Sequence, residues 1–445
     1  MPDVNIGRAF MGDSLGFHIL FALLGVGLPL CVSIIEFIAW RRKDEKLRDV
    51  AKLWSFIAGV LVVAGAVSGA IVALQMFFVW PGVLKFGGGT IGLGFTLEGY
   101  AFLVEAVFLV WYLRSWKTIQ GFKHWLIGIP ISIGATGSAI FITSVNAWMN
   151  HPTGMTVVNG VITSSNPMAA LFSETTLYEA SHSILAYYMI TALLITASAA
   201  WVLIRSRKGE SGESAFGSIA TAHTLLRWFG ALSLILLIGV AVLGDLSGKY
   251  IAREEPTKLA ALEMLEKTQH GAPAMIGGSV DSNGTIQPGI EIPGVLSFLA
   301  TGDFNGEVKG LDQVPRHLWP PLVVHTIFDI KMLLVGVLAA IVGGFVLLYA
   351  FLRKWALSRP VLYAVIASPG IATIVMELGW VMTEIGRQPY AVYGYIFTKD
   401  AFTTSHSVLA IAWIFPTLYI FLTLATVLAI RVTIKKFIAP EREEV

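Results

Sequence analysis

A carboxylate and a guanidinium lie together at the end of a long apolar run in the C-terminal quarter of the chain. Glu384 and Arg387 close a run of about twenty mostly apolar residues and are one helical turn apart. An ionisable side chain inside a membrane is costly, so it usually has a specific partner or a specific task. Arg387 is one candidate partner of Glu384, and a metal centre is another. The two alternatives correspond to different kinds of protein.

Other polar side chains are spread through the apolar stretches of the chain. His, Met and occasionally carboxylate side chains are axial haem ligands, and haems in helical bundles are held from facing helices. Glu98 and Glu105 are about two turns apart on one helical face, and such pairs suit proton delivery in membranes. The candidates for this chemistry are His18, Glu98, Glu105, Asn146, His182, Met332, Glu377, Trp380 and Glu384.

Nine apolar stretches are long enough to span a bilayer. Hydrophobic residues make up 55% of the 445 residues and charged residues only 13%, which excludes an ordinary soluble domain. We therefore predict an all-α polytopic membrane protein with nine transmembrane helices. The predicted spans are residues 14–39, 53–79, 92–113, 125–148, 177–204, 222–244, 322–352, 360–384 and 405–430.

Lys and Arg side chains cluster in alternate connections between the predicted spans. Cytoplasmic loops of membrane proteins carry an excess of these residues. With nine spans, this pattern puts the N-terminus outside and the C-terminus in the cytoplasm, and nearly all the candidate ligands then fall in the outer half of the bilayer. The clusters are Arg41, Arg42, Lys43, Lys46, Arg48 and Lys52; Arg114, Lys117 and Lys123; Arg205, Arg207 and Lys208; Arg353, Lys354 and Arg359; and Arg431, Lys435, Lys436 and Arg442.

A polar segment rich in Gly and Pro, residues 245–321, separates the sixth and seventh spans. The topology puts it outside, and a connection of this length is usually functional or disordered. We therefore divide the chain into residues 1–244, this segment and residues 322–445. The single cysteine, Cys31, excludes an internal disulfide and cysteine-rich metal sites, and no Cys-x-x-Cys-His motif occurs. We expect no removable signal peptide and no nucleic-acid partner.

Each candidate residue also has an ordinary structural explanation. A single His in a membrane helix is about as often a packing residue as a ligand, and a buried Met is usually core filler. Trp380 could be an interfacial anchor. Glu98 and Glu105 could line the cation site of an ion-coupled transporter. Composition and spacing therefore leave a redox protein and a transporter equally open.

Motifs along most of the chain resemble those of one family. The segment Gly379-Trp380-Val-Met-Thr-Glu384-Ile-Gly-Arg387-Gln388-Pro389 resembles the signature of subunit I of the cytochrome bd-type quinol oxidases. Nine helices, an external N-terminus and a short outer loop also fit this family. Further resemblances, in the family's order, are Gly16-Phe17-His18-Ile-Leu-Phe21, Leu97-Glu98-Gly99 with Glu105, Asn146-Ala-Trp148-Met149, His182-Ser-Ile-Leu-Ala186-Tyr187 and Lys258-Leu-Ala-Ala-Leu-Glu263.

The resemblance implies three haems: a low-spin haem b (b558-type), and a pair made of a high-spin haem b (b595-type) and a haem d. His182 and a Met of the seventh span would bind the low-spin haem. His18 and Glu384 would each bind one haem of the pair, and the sequence does not decide which. Trp380 would lie between the low-spin haem and the pair. Arg387 would orient Glu384 or pair with a haem propionate.

The resemblance also implies routes for protons and a site for quinol. Glu98 and Glu105 would belong to the surroundings of the oxygen site and to the proton route. Asn146 would belong to a proton route. Lys258 and Glu263, in the segment between the sixth and seventh spans, would form the quinol site.

The seventh span departs from the family pattern. The usual pattern has Met three residues after Phe, whereas Met332 comes four residues after Phe328 and Lys331 takes the expected position. Met332 is the only Met in that half of the span, so we predict it as the second ligand of the low-spin haem. His325 is the competitor and would give a bis-His haem. Tyr390 replaces a family Trp after Gln-Pro.

The function that the resemblance implies is that of a respiratory terminal oxidase. Such an enzyme oxidises membrane quinol at the outer face and reduces O2 to water with cytoplasmic protons, which generates a proton-motive force without pumping. The implied partners are a second membrane subunit (subunit II), a small single-span subunit, membrane quinone and O2, in the cytoplasmic (inner) membrane of a prokaryote.

Two alternatives come from other functional classes. One is a quinone-reactive b-type electron-transfer cytochrome without oxygen chemistry, against which the presence of both His18 and Glu384 argues. The other is an ion-coupled transporter, which would hold no haem. The haem-copper oxidase class is disfavoured because no span carries the His pairs that its copper site requires.

Overall fold

The computed structural model describes residues 3–207, 215–281 and 285–438. Within these ranges nine helices are long and apolar enough to cross a membrane, which confirms the predicted all-α fold with nine spans. Lys208 and Arg442, two of the predicted basic residues, lie outside the described residues. The long helices are α1 Val4–Arg42, α2 Glu45–Phe78, α3 Pro81–Ser115, α4 Phe122–Asn150, α5 Glu174–Ser206, α6 Ile219–Glu254, α7 Val323–Phe351, α8 Arg359–Gly386 and α9 Ile414–Ile438.

Most of these helices extend beyond the predicted spans. The apolar run marks only the part of a helix that crosses the hydrocarbon, whereas the helix continues as long as its backbone hydrogen bonds are made. α1 begins at Val4, where the side chain of Asp3 accepts a hydrogen bond from the N–H of Asn5 at 2.8 Å. α6 continues to Glu254, past the predicted boundary at residue 244. The ninth predicted span is divided between a short helix, His406–Ala412, and α9.

Polar residues set the starts of several other helices. The side chain of Asp44 accepts the N–H of Leu47 at 3.0 Å at the start of α2. Ser173 does the same for Thr176 at 3.2 Å at the start of α5. Each oxygen satisfies a backbone donor that has no partner within its helix, which costs free energy if it stays unpaired.

The helix α5 lies at the centre of the bundle and packs against α1, α4, α6 and α8. In its most apolar window 78% of the residues are buried, against 17% for α3 and α7 and 11% for α9. A central cluster joins Leu23 of α1, Ile190 of α5, Leu338 of α7 and Ala372 of α8. The helices that carry the candidate ligands therefore pack around one core.

The connection between α6 and α7 marks one end of the bundle, which we call the loop end (the end that carries residues 255–322). Its apolar residues do not form a separate core. Leu262 and Leu296 pack with Val324 at the start of α7 and with Met382 near the end of α8. The connection is therefore fixed directly above the helix ends that hold the candidate site.

Short elements occupy the connections between the long helices. The four strand pairs were not predicted, although Asn159-Gly160, both with positive φ (51° and 77°), is a common hairpin signal. The short helices are Pro167–Leu171, Pro256–Leu262, Val295–Thr301, Arg353–Ala356 and Thr398–Ala401, with 3-10 turns at Leu311–Gln313 and Arg316–Leu318. The antiparallel pairs are β1 Met155–Val158 with β2 Val161–Ser165, β3 Gln269–His270 with β6 Glu307–Val308, β4 Ala274–Val280 with β5 Ile286–Ile292, and β7 Tyr390–Val392 with β8 Ile396–Phe397.

Candidate functional site

Two donors hold the carboxylate of Glu384 at the end of α8. Asn146 Nδ2 donates to Glu384 Oε1 at 2.6 Å, and Arg387 Nη2 donates to Glu384 Oε2 at 2.5 Å. Arg387 is only 4% exposed, so its charge depends on this carboxylate for compensation. The structure thus brings together three predicted site residues. A carboxylate oriented in this way still has lone pairs with which to bind a metal.

Two residues that the sequence analysis did not single out extend this arrangement. Asn150 Nδ2 donates to Asn146 Oδ1 at 2.9 Å and to Glu179 Oε1 at 2.8 Å. Arg387 Nη1 donates to Asn150 Oδ1 at 3.2 Å. Asn150 follows Asn146 by one turn of α4, a spacing that is visible in the sequence, whereas the pairing of α4 with α5 and α8 depends on tertiary packing. We call the connected set the carboxylate network; its members are Asn146, Asn150, Glu179, Glu384 and Arg387.

His18 lies on α1 with one ring nitrogen fixed. Ser68 Oγ donates to the carbonyl of Gly65 at 3.0 Å and lies 3.0 Å from His18 Nδ1. Because the hydroxyl hydrogen points to Gly65, Ser68 accepts a hydrogen from Nδ1, and this tautomer leaves the lone pair of Nε2 free. Gly69 allows the close approach of the ring to α2, since a Cβ there would lie 3.1 Å from His18 Cε1. Metal-binding histidines are typically oriented in this way.

His182 lies on α5 with its ring against the backbone of α6 at Val240 and Gly244. A Cβ at Gly244 would lie 3.4 Å from His182 Cε1, so the glycine leaves room for the ring. The indole of Trp380 is partly buried and packs against the core cluster that contains Tyr187 and Ile190 of α5. This packing places Trp380 inside the bundle rather than at the membrane surface as an anchor.

Three further carboxylates lie inside the bundle. Glu377 of α8 approaches α1 two residues from His18, since a Cβ at Gly16 would lie 3.8 Å from Glu377 Oε2. Glu105 of α3 is 5% exposed and lies at a close contact with α4, where a Cβ at Gly134 would come 2.9 Å from the Glu105 nitrogen. Glu98, on the same helix, is partly buried. Neither carboxylate of α3 belongs to the carboxylate network.

Met332 does not face His182. Its side chain is 49% exposed on the outer face of α7. Lys331, rotated by about 100° around the helix, is turned instead towards the bundle, where its Nζ would lie 3.5 Å from a Cβ at Gly379 of α8. Lys331 is also within electrostatic range of the His182 ring. The arrangement therefore gives no support to Met332 as the second ligand of the low-spin haem.

His325, the alternative to Met332 as a ligand, is fully buried at the start of α7. Its ring contacts the backbone of the loop. Its Nδ1 lies 2.6 Å from the carbonyl oxygen of Leu262, and its Nε2 lies 2.8 Å from the carbonyl oxygen of Gly277. The carboxylate of Asp329 lies 3.3 Å from Nε2 and also accepts the N–H of Gly277 at 2.6 Å. Because each ring nitrogen of His325 faces a carbonyl oxygen of the loop, neither is turned towards a haem site.

The predicted quinol-site residue Lys258 forms a buried ion pair. Lys258 Nζ lies 3.0 Å from Glu255 Oε2, and both side chains are 2% exposed. The aliphatic part of Lys258 covers the end of α8, since a Cβ at Gly386 would lie 2.9 Å from Lys258 Cγ. Lys258 therefore lies directly beside the carboxylate network.

The second predicted quinol-site residue, Glu263, is 5% exposed in the loop. Its Oε2 accepts the N–H of Met275 at 3.2 Å. Burial raises the pKa of Glu263 to about 7, although the Met275 N–H and the nearby His325 act in the opposite direction. A carboxyl group with this pKa can exchange a proton near neutral pH.

The donor set suits haem better than a bare metal ion. Among the described residues there is no group of three or more His, Cys, Asp or Glu that could hold an ion. Single ligands on facing helices are typical of haem in a helical bundle. His18, His182 and Glu384 fit this pattern, since each is oriented by its surroundings. Met332 and His325 do not fit it.

Three comparisons with known proteins agree with this arrangement. A protein of Bacillus subtilis (strain 168), provisionally named a cytochrome bd menaquinol oxidase subunit I, is 34% identical over 432 residues, 96% of this chain and 95% of the relative. A cytochrome bd ubiquinol oxidase subunit 1 of the same organism is 26% identical over 419 residues, 90% of this chain and 86% of the relative. The structure of bd oxidase from Geobacillus thermodenitrificans superposes with a TM-score of 0.89 at 31% identity, over 97% of this chain and 98% of the other.

The family assignment rests on how much of the chain matches as well as on the sequence identity. The sequence profile of cytochrome bd terminal oxidase subunit I covers residues 6–438. That range includes the nine long helices, apart from the first two residues of α1, and every side chain of the site described here. The chain therefore belongs to the cytochrome bd terminal oxidase subunit I family.

Proposed function

We propose that this chain is the haem-bearing subunit of a respiratory terminal oxidase that oxidises membrane quinol and reduces O2 to water. Membership of the family supports a quinol:oxygen oxidoreductase in the cytoplasmic membrane of a prokaryote. The main observation that supports the assignment of the haem and quinol sites is the position of the carboxylate network. It joins a candidate iron ligand, Glu384, to the helix that carries His182, and it lies beside the loop residue Lys258.

Three residues would hold the haems. His182 would bind the low-spin haem b, and His18 and Glu384 would each bind one haem of the high-spin haem b and haem d pair. When bound, the haems supply the electron-transfer and oxygen chemistry that amino-acid side chains lack. Arg387, which donates to Glu384 and to Asn150, would orient the Glu384 carboxylate for metal binding.

Quinol would be oxidised at the loop end, beside Lys258 and Glu263. Conversion of a quinol to a quinone releases two electrons and two protons. The Glu263 carboxylate can accept a quinol proton because burial holds its pKa at about 7. The Lys258–Glu255 pair covers the end of α8, so a headgroup bound there would lie next to the carboxylate network.

Protons for water formation would come from the opposite end of the bundle. Each O2 takes up four protons and four electrons to give two water molecules. Basic residues lie at that end, which supports a cytoplasmic position for it: Arg41, Arg114 and Lys435 are in the last turns of α1, α3 and α9, and Lys354 follows α7. Glu105 and Glu98 would pass these protons along α3 from the cytoplasmic end towards the oxygen site. Because these protons cross most of the membrane, charge is separated without a pump.

The family name implies a partner, since this chain is subunit I of an oxidase. A second membrane subunit, and a small single-span subunit, would cover the apolar faces that α3, α7 and α9 leave exposed. Relatives are named for menaquinol and for ubiquinol, so we state the substrate only as a membrane quinol.

Haem analysis of ligand variants tests this proposal. In the purified complex we expect Glu384→Ala to lose one haem of the pair and to keep the low-spin haem. We expect His182→Ala to lose the low-spin haem and to keep the pair. Glu45→Ala is the matched control, because the Glu45 side chain is 79% exposed, and it should keep all three haems. The measurement is haem content per chain by extraction together with the dithionite-reduced spectrum. Retention of all three haems in Glu384→Ala would show that Glu384 is not a ligand.

A further inference from the structure

One side chain on the inner face of α7, that of Lys331, has a nitrogen that could bind a metal on the side of His182. The segment 327–335 contains three side chains that can bind a metal, Asp329, Lys331 and Met332. Asp329 is used by the Gly277 N–H and by His325. Met332 is turned outward and is half exposed. Only Lys331 remains on the side of the helix that faces the bundle.

Lys331 and His182 lie at matching depths. Each comes eight residues after the first residue of its helix, Val323 for α7 and Glu174 for α5, which is about 12 Å along each axis. Both helices start at the loop end. The Lys331 amine is within electrostatic range of the His182 ring and lies beside Gly379 of α8, next to Trp380. The two side chains therefore approach one space between α5, α7 and α8.

Lys331 makes no hydrogen bond or ion pair with another described residue. A lone ammonium among apolar helices is costly, and such residues usually mark a functional site. Glu377 is the neighbouring carboxylate on α8, but its contact is with α1 at Gly16. The position of Lys331 is therefore explained by a partner that the described part of the chain does not supply.

We propose that Lys331 is the second axial ligand of the low-spin haem, opposite His182, an inference that rests on the proposed function. The amine binds iron through its nitrogen lone pair, so the ammonium group gives up one proton to water as the bond forms. Two nitrogen ligands give a six-coordinate low-spin iron that transfers electrons and leaves no position for oxygen. A thioether ligand raises the potential of a haem, so the amine holds this haem at a lower potential than a His–Met pair would.

Ligand-sensitive spectroscopy of the oxidised complex tests the assignment. The near-infrared charge-transfer band in magnetic circular dichroism differs in energy between His–Lys, His–Met and bis-His haems. We expect the His–Lys position in the purified wild-type complex. In Lys331→Met we expect a shift of this band to the His–Met position and a rise in the midpoint potential. In Met332→Leu, the matched control on the next residue, we expect no change in band or potential.

The outcomes separate this inference from the proposed function. A wild-type band at the His–Met or bis-His position overturns Lys331 as a ligand, whatever the variants do, and pairing of Lys331 with a haem propionate would give this result. A band that moves in Met332→Leu but not in Lys331→Met overturns it as well. A wild-type complex without haem overturns the proposed function. Because the wild-type spectrum is decisive by itself, a variant that fails to fold does not remove the test.

Discussion

Replacement of Glu263 by glutamine should remove a pH dependence of the loop's stability. Burial raises the pKa of this carboxyl group from 4.5 to about 7, with the nearby Asp329 acting in the same direction and His325 in the opposite one. Between these two values the folded loop keeps a proton that the unfolded loop releases. The stability of the loop is therefore greatest below about pH 4.5 and falls as the pH rises to about 7.

The size of this effect follows from the two pKa values. At about 1.4 kcal/mol for each pH unit, the difference amounts to about 3 kcal/mol. This corresponds to a change on the order of 100-fold in the equilibrium between the closed and the locally unfolded loop. Glutamine has no such titration, so the loop of Glu263→Gln should show no pH dependence from this position.

Hydrogen exchange measures the opening of the loop directly. The N–H of Met275, which donates to Glu263, is the amide to follow, after correction for the intrinsic pH dependence of exchange. We expect its protection in the wild-type complex to fall between pH 5 and pH 8 relative to Glu263→Gln. Other titrating groups are the same in both proteins, so the ratio isolates Glu263. Parallel pH profiles in the two proteins would refute the buried position of this carboxyl group.

Three further changes test other parts of the structure. His325→Phe removes the ring nitrogens that bind the carbonyls of Leu262 and Gly277, so it should destabilise the loop by about 2 kcal/mol or more. Limited proteolysis should then cut the loop faster than in the wild-type complex. An unchanged rate would contradict the two hydrogen bonds. Asn150→Ala breaks the carboxylate network and should lower the apparent melting temperature of the complex; an equal melting temperature would show that the network adds nothing to stability. Gly69→Val displaces the ring of His18 and should reduce the content of the haem that His18 would bind. Gly92→Val, where a side chain meets open space, should leave the haem content unchanged. Equal haem contents in the two variants would contradict the close approach of His18 to α2.

The number of helices could be predicted from the sequence because lipid requires long apolar segments, and the described part of the chain contains nine of them. The sequence singles out His18, His182 and Glu384 as candidate ligands for a related reason. Polar groups are rare in such segments, so each one stands out. Asn150 and Glu179 were missed because their roles depend on which helices are neighbours, and apolar helices carry little information about that.

The helical phase of α7 could not be predicted from composition. Met332 and Lys331 differ by one position, and a helix that is apolar all round gives no sign of which side faces the bundle. Residue type alone therefore favours Met332, whereas the structure turns Lys331 inward. His325 was kept as an alternative ligand because its partners, Leu262 and Gly277, come from a loop whose fold is not visible in the sequence.

The proposed haems for quinol oxidation and oxygen reduction can be detected directly. The test is the dithionite-reduced absorption spectrum of the purified wild-type complex, recorded together with its quinol-dependent consumption of O2. We predict a low-spin haem b signal and a haem d band towards the red end of the spectrum, with O2 consumption that requires quinol. A colourless protein, or one with a low-spin haem b signal alone and no O2 consumption, would contradict the account.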